Sequence, residues 1–172
     1  MLTAGERALN IIQGEHAISR DENVVITTIL GSCVSACLFD PVLRIGGANH
    51  FLLPDAGTDP AEHRYATAAM EALVRSLLRA GADRGRLEAK LFGGAWRMAN
   101  LPDIGRRNAL AAADFLRKEG IPVVSSDLGG TQARGLRFWP ATGHARIQRL
   151  GSQMPLPVEK PSTALPMRAD RV

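Results

Sequence analysis

Short apolar or alternating runs dominate the first third of the chain, and this pattern predicts β-strands. The runs cover residues 11–18, 24–28, 33–39 and 45–53. A polar turn over 19–23 separates the first two, and Asp40-Pro41 separates the last two. Short β-type runs bounded by such turn residues are typical of hairpins. We therefore expect the segment 33–53 to form an antiparallel pair of strands.

A helix is predicted after these strands, because apolar residues then recur about every four positions. Asp59 is a suitable cap, Pro60 fits the first helical position and Glu62 completes a capping box. Gly81 is the natural end of this helix. Its repeating apolar positions are Tyr65, Ala69, Leu73 and Leu77.

The remaining pattern alternates between strands and one more helix. Strands are predicted at 89–92, 122–126, 136–140 and 145–150. A second helix is predicted over 104–119, ending at Gly120. One face of that helix carries Asn108, Ala112, Phe115 and Leu116. Many strands with hairpins and two helices indicate an α+β fold, in which helices cover one side of an antiparallel or mixed β core.

Composition limits the class of protein. The 172 residues are 45% hydrophobic and 22% charged, as in a globular domain with a real core. No membrane-spanning run or signal peptide is recognisable, so we expect a cytoplasmic protein with both cysteines reduced. The net charge of +4 comes from scattered basic residues without interleaved aromatic side chains, so nucleic-acid binding is not predicted.

The chain changes character near its C-terminus. The segment 151–172 holds four of the ten prolines and has no helical or alternating period. Proline removes backbone donors, and so little apolar surface cannot support a fold. We predict one domain over 1–150 and a proline-rich, disordered tail over 151–172.

The candidate chemistry lies in the stretch TTILGSCVSACLFDPVLRIGGANHFLLP, residues 27–54, which holds both cysteines and one of the four histidines. If the hairpin turn is centred at 41–42, Cys33 lies directly opposite His50. Directly opposite residues of antiparallel strands point to the same side, with Cβ atoms roughly 4.5–5.5 Å apart. The hairpin pattern therefore predicts a thiol–imidazole pair, provided that the register is right.

A Cys–His pair has the form of an activated nucleophile, because the imidazole stabilises the thiolate and acts as general base and acid. Gly31 and Ser32 precede Cys33, where a tight turn would leave the sulfur accessible and backbone N–H groups near an oxyanion. The simpler alternative is a small buried hydrophobic side chain. Cys37 is most simply a core residue, because it lies roughly 13 Å along the strand, too far for a shared metal.

A catalytic histidine usually needs a third group that fixes its tautomer. A hydroxyl from the preceding strand could serve. Thr27 and Thr28 are both candidates, and the residues alone do not decide between them.

Four later segments extend the pattern of the 27–54 stretch. They are AKLFGGA at 89–95, DIGRRN at 103–108, DLGGTQARGLRF at 127–138 and ATGHA at 141–145. With the GSC and NHFLLP motifs, their order and spacing resemble the CheD family, the chemoreceptor glutamine deamidases of bacterial chemotaxis. The resemblance spans residues 8–150.

The resemblance implies a catalytic set. The family's nucleophile falls on Cys33, its histidine on His50, and its threonine on Thr27 rather than Thr28. Further candidates for oxyanion binding or close substrate approach are Gly31, Ser32, Gly93 and Gly94. At the glycine pairs 93–94 and 129–130, a tight turn with a purely structural role is an equally good alternative.

The resemblance also implies a fold, a layered α/β/β sandwich. The activity that it implies is hydrolysis of glutamine side chains of methyl-accepting chemotaxis receptors to glutamate. The reaction would pass through a thioester and need no cofactor or metal. Receptors would be the partners, and a CheC-type phosphatase a further one, with no nucleic acid and no membrane insertion. Two alternatives remain open: a non-catalytic adaptor that binds the phosphatase or receptors, and a cysteine hydrolase that also acts on receptor methyl esters.

Overall fold

The computed structural model describes residues 2–53, 60–96, 100 and 102–151, and only the helical backbone of 60–64. Within these residues the chain forms nine strands, two α-helices and a short 3₁₀ turn at Arg84–Arg86. The strands are β1 Arg7–Asn10, β2 His16–Ser19, β3 Val24–Leu30, β4 Val34–Asp40, β5 Ile45–Asn49, β6 Glu88–Gly93, β7 Val123–Leu128, β8 Arg134–Trp139 and β9 His144–Arg149. The helices are α1 Pro60–Arg79 and α2 Ile104–Lys118.

The strands form two mixed sheets. A four-stranded sheet has the order β1-β3-β8-β9, and a five-stranded sheet has the order β2-β5-β4-β6-β7. The pairs β1/β3 and β6/β7 are parallel, and the other neighbours are antiparallel. The predicted α+β class with largely antiparallel sheets is confirmed.

The five-stranded sheet is the middle of three layers, because its two faces border different cores. On β4, Val34, Ala36 and Leu38 pack with α1 and α2, whereas Cys37 faces the four-stranded sheet. Successive side chains of a strand point to opposite faces, so a strand buried on both sides reads as one apolar run. This explains the almost unbroken apolar run at β4 and agrees with the layered α/β/β arrangement.

Both predicted helices are present. In α2 the Asp103 side chain accepts the N–H of Arg106 at 2.9 Å, which satisfies one of the donors left unpaired at a helix start. Gly81 and Gly120 follow the two helices with φ values of 101° and 68°, in the left-handed region that glycine tolerates. The capping box predicted at Asp59 and Glu62 lies outside the described residues.

The first predicted strand, 11–18, is wrong. β1 ends at Asn10 in the four-stranded sheet, and β2 begins at His16 in the five-stranded sheet. Between them the Glu15 N–H bonds to the Ile12 carbonyl at 3.0 Å, and Gly14 has a φ of 86°. The chain therefore crosses between layers inside the apolar run, which a spacing pattern cannot distinguish from one continuous strand.

The predicted division into a domain and a tail is not tested, because residues 152–172 lie outside the described part of the chain. Neither described helix is both long and apolar enough to cross a lipid bilayer.

Candidate active site

The turn between β4 and β5 has four residues, which changes the predicted register. Asp40 pairs with Ile45, and its carboxylate accepts the N–H groups of Val42 and Leu43 at 3.0 and 3.1 Å. The Asp40 carbonyl accepts the N–H of Arg44 at 2.9 Å, and Arg44 adopts a left-handed φ of 56°. The register centred at 41–42 is therefore wrong by two residues.

Cys33 and His50 nevertheless share one face of the hairpin. Val34 and Phe51 exchange both backbone hydrogen bonds, at 3.0 and 2.9 Å, so Cys33 lies opposite Leu52 and diagonal to His50. A shift of two residues preserves the face, because side chains alternate along a strand. Diagonal neighbours lie roughly 7–8 Å apart, with their Cβ atoms somewhat closer, a separation within reach of aromatic and long side chains.

Cys33 is buried between the two sheets. Its exposed fraction is 0%, and it packs in the core that contains Leu30 and Phe92. The expected accessible sulfur is therefore not found in this conformation. Burial alone fits a structural cysteine as well as a nucleophile. The groups around Cys33 therefore have to distinguish between the two roles.

The turn that carries Cys33 is held by its carbonyl groups. The Gly31 carbonyl accepts the N–H of Ala95 at 2.9 Å, and the Cys33 carbonyl accepts the N–H of Gly94 at 2.8 Å. The Ser32 carbonyl between them accepts the Asn108 side-chain amide at 2.8 Å. Three consecutive carbonyls are thus bonded to the loop that follows β6 and to α2, which gives the thiol a fixed position.

His50 is held by a hydroxyl in one tautomer. Its Nδ1 lies 2.8 Å from the Thr28 hydroxyl, and that hydroxyl donates to the Ile11 carbonyl at 2.7 Å. A hydroxyl has a single proton, and Thr28 already donates it to the Ile11 carbonyl. The Thr28 oxygen can therefore only accept a hydrogen bond from the imidazole ring. Nδ1 therefore carries the hydrogen, and Nε2 is left with the lone pair that a general base requires.

The structure places Thr28, and not Thr27, against His50. Thr28 is buried on the inner face of β3, whereas Thr27 points to the opposite face and donates to the Asn10 side chain at 3.3 Å. The expectation that Thr27 orients His50 is thus corrected. The two neighbours differ because strand side chains alternate, and the packing of the sheets decides which face meets the imidazole.

Burial keeps His50 neutral. Loss of hydration lowers the pKa of its imidazole to about 4, against the opposing effect of a hydrogen bond to the Ile11 backbone. At neutral pH the ring is therefore uncharged, and its basic nitrogen is available.

Cys37 has the properties of a core residue, as predicted. It is buried, and loss of hydration raises the pKa of its thiol to about 12, although Ser35 and Lys90 act in the opposite direction. Such a thiol is almost wholly protonated at neutral pH and unreactive. Among the described residues, no group of three or more His, Cys, Asp and Glu side chains is arranged around a common metal position.

The glycines at 93–94 approach the protein's own backbone. A Cβ on Gly93 would lie 2.2 Å from the Cys33 carbonyl oxygen, and one on Gly94 would lie 2.8 Å from the Gly105 carbonyl oxygen. Both also have positive φ values, of 108° and 67°. These features support the alternative that Gly93 and Gly94 form a tight structural turn. Close approach of the substrate at this glycine pair stays a prediction.

Arg134 is a buried residue whose role the sequence did not reveal. Its guanidinium bonds to the Asp127 carboxylate at 2.8 Å, to the Gly93 carbonyl at 3.2 Å and to the Gly129 carbonyl. It therefore joins the two glycine turns behind Cys33. An arginine within a glycine-rich segment was the only available signal.

Asn108 is a second residue with an unforeseen position. It is fully buried on α2 and bonds to the backbone of both Ser32 and Leu53. The sequence signal was a polar residue on the apolar face that this helix presents to the core, since buried polar groups require hydrogen-bond partners.

A cavity of about 200 Å³ borders His50. Its wall includes Tyr65, Glu71 and Arg75 of α1, and Asn49 of β5 also lines it, whereas Cys33 does not. Of Cys33 and His50, only His50 is therefore among the residues that border this cavity.

Comparison with known proteins gives one consistent family. The sequence model described as "CheD chemotactic sensory transduction" matches residues 52–149. A protein of Agrobacterium fabrum is 51% identical over 85% of this chain and 82% of its own length. A protein of Caulobacter vibrioides is 53% identical over 84% of this chain and 80% of its own. Both bear the name "Probable chemoreceptor glutamine deamidase CheD".

Solved structures give only a distant likeness. A hypothetical protein YfiH of Bacillus licheniformis is 14% identical, covers 67% of this chain and 49% of its own, and aligns with a TM-score of 0.45. This likeness carries no argument about the site.

Proposed function

Because the chain belongs to the CheD family, we propose that it is a protein-glutamine glutaminase that converts glutamine side chains of methyl-accepting chemotaxis receptors to glutamate. The names of relatives 51–53% identical over most of the chain support this substrate class. The observation that carries the proposal is the buried imidazole of His50, held in one tautomer by Thr28 on the face that Cys33 shares.

Cys33 is the nucleophile in this proposal. It shares a face with His50, and its turn is held by bonds to Ala95, Gly94 and Asn108. The raised pKa of the Cys37 thiol argues against that residue.

In the first half of the reaction, the Cys33 sulfur attacks the carbon of the glutamine carboxamide. His50 Nε2 accepts the thiol proton as the sulfur–carbon bond forms, because the buried ring is neutral beforehand. Backbone N–H groups of the 31–33 turn are the candidates that stabilise the oxyanion. The tetrahedral intermediate collapses, His50 protonates the leaving nitrogen, and ammonia departs from a thioester.

In the second half, a water molecule hydrolyses the thioester. His50 Nε2 takes a proton from the water as its oxygen attacks the thioester carbon, and the sulfur leaves with that proton. Glutamate is released, and the Cys33 thiol is restored. Both halves use only protein groups and water.

Substrate binding has to uncover the sulfur. Cys33 has an exposed fraction of 0%, so a receptor glutamine cannot reach it in this conformation. Residues that cover the thiol must therefore move when the receptor binds, as in enzymes where substrate completes or opens the site.

The proposal is tested by incubating the protein with the cytoplasmic domain of a methyl-accepting chemotaxis receptor, followed by peptide mapping. The expected result is the small mass gain of an amide converted to an acid, at particular glutamines. Mass loss at methylated glutamates would instead indicate an esterase. Stable binding of receptor or CheC-type phosphatase without any mass change would indicate the adaptor and overturn the proposal.

A matched pair of variants tests the orienting hydroxyl. Thr28→Val removes the acceptor of the Nδ1 hydrogen at nearly constant volume, and we expect turnover to fall roughly tenfold to a hundredfold, part of the contribution of general acid–base catalysis. The loss is partial because the Ile11 carbonyl also bonds to the ring. Thr27→Val should have much less effect. Receptor deamidation rates and thermal melting of both variants provide the measurement.

A larger loss from Thr27→Val than from Thr28→Val, with both proteins folded, would contradict the orientation seen in the structure. It would restore the threonine that the family resemblance selects.

A further inference from the structure

We infer that Asn108 is a positioning residue that sets the geometry between Cys33 and His50, an inference that rests on the proposed function. Asn108 lies in the first half of α2, on the helix side of the five-stranded sheet, and its side chain has an exposed fraction of 0%. Its side chain bonds to the backbone beside each reacting group, at Ser32 and Leu53.

The two bonds of Asn108 connect the two ends of the site. Its Nδ2 donates to the Ser32 carbonyl at 2.8 Å, and Ser32 immediately precedes Cys33. Its Oδ1 accepts the N–H of Leu53 at 2.8 Å, three residues after His50. One side chain therefore holds both segments at the place where the regular pairing of β4 and β5 has ended.

The direction of the Ser32 bond also orients the nucleophile. A peptide group is planar and trans, so its C=O and N–H point in opposite directions. Because the Ser32 carbonyl points to Asn108 on α2, the N–H of Cys33 points away from α2. Loss of this bond would free the peptide that joins Ser32 to Cys33 and so alter the approach of the thiol to the imidazole.

An asparagine suits this arrangement, because its amide supplies the donor that one bond needs and the acceptor that the other needs. An aspartate retains the acceptor for Leu53, but when ionised it places a carboxylate oxygen against the Ser32 carbonyl. When protonated, an aspartic acid can again donate to Ser32. Burial raises the pKa of such a carboxyl, so its protonated form is within reach of ordinary assay conditions.

The inference is tested with Asn108→Asp and Asn108→Ala in the full-length chain. We expect kcat for receptor deamidation to fall about a hundredfold, as for a small misplacement of reacting groups, with KM changed less than about twofold. The loss of kcat in Asn108→Asp, relative to the wild type at the same pH, should shrink as the pH is lowered from about 8 to about 6. The loss of kcat in Asn108→Ala should not shrink. Rates are expressed per folded molecule.

Ala112→Gly is the matched control. Ala112 is buried one turn further along the same helix, so this variant weakens α2 without touching either bond. It should lose stability and retain kcat. If it loses as much kcat as the Asn108 variants, or if a folded Asn108→Asp retains wild-type kcat at every pH, the inference is overturned.

A second readout does not depend on receptor deamidation. Alkylation of Cys33 by iodoacetamide, followed by peptide mapping, reports on the reactivity of the thiol, which depends on its position relative to His50. The rate should fall in both Asn108 variants and persist in Ala112→Gly. If the wild-type chain leaves all receptor glutamines unchanged, the proposed function fails. The alkylation rates still decide whether Asn108 positions Cys33. Equal alkylation rates in the wild type and the Asn108 variants would overturn the inference.

Discussion

Replacement of Cys33 by serine should reduce receptor deamidation by at least about a thousandfold while the protein remains folded. A serine hydroxyl is a much weaker nucleophile than a thiol, and the neutral, buried imidazole of His50 cannot activate it to the same extent. Oxygen is smaller than sulfur, so the serine fits between the sheets without a steric clash, at a stability cost of the kind that any buried hydroxyl carries. Peptide mapping of the receptor after incubation gives the conversion of each glutamine.

Cys37→Ser is the control, because Cys37 is equally buried on the same face of the sheet. The new hydroxyl should cost about 1–3 kcal/mol of unfolding free energy if it lacks a partner, while deamidation continues. Iodoacetamide should modify Cys33 before Cys37, because burial raises the pKa of the Cys37 thiol to about 12. Conversion of glutamine by Cys33→Ser, or faster labelling of Cys37, would show that the nucleophile is assigned wrongly.

Replacement of Asp40 by alanine should lower the unfolding free energy by about 3 kcal/mol, the low end of the range for breaking a buried ion pair. The Asp40 carboxylate is fully buried and accepts the backbone N–H groups of Val42, Leu43 and Asp83. It also forms a two-point pair with Arg86 at 2.9 and 3.1 Å. We expect a value at the low end of that range because the Arg86 side chain is 38% exposed, so its guanidinium can be hydrated once Asp40 is removed.

The same carboxylate predicts a pH dependence. Burial opposes ionisation of Asp40, but the Arg86 guanidinium and the three backbone N–H groups outweigh it and hold its pKa well below the usual range. A carboxyl with a lowered pKa stabilises the fold above its unfolded pKa, about 3.9, and this contribution is lost as the pH falls through its folded pKa. The wild type should thus lose more stability than Asp40→Ala below about pH 4.

Urea unfolding at neutral and acidic pH provides the measurement, with unchanged m-values as evidence that the unfolded states are comparable. Asp114→Ala is the control, because Asp114 forms its ion pairs with Arg117 and Lys118 on the exposed face of α2. If Asp40→Ala is no less stable than Asp114→Ala, the four-residue turn does not depend on the buried carboxylate.

Local patterns predicted much of the architecture. Helix periodicity located α1 and α2, and short apolar runs located most of the strands to within a few residues. These features follow from the repeat of 3.6 residues in a helix and of two in a strand, which any one segment displays by itself. The apolar run at 11–18 shows the limit, because its spacing did not reveal that the chain changes sheets at Gly14.

Turn geometry was the first feature that local patterns missed. The four-residue loop depends on the bonds of Asp40 to Val42, Leu43 and Arg44, which a turn signal such as Asp-Pro does not specify. The register error was harmless for one reason only: a shift of two residues keeps Cys33 and His50 on the same face.

The sequence by itself determined the family, the layered class of fold, and a thiol and an imidazole on one face of a hairpin. The tertiary structure decided that Thr28 rather than Thr27 meets His50, 22 residues away, and that Asn108 meets Ser32, 76 residues away. It also decided that Cys33 is buried between the sheets. These contacts depend on how separate layers pack, and the spacing of residues within one segment carries no information on the distance to another layer.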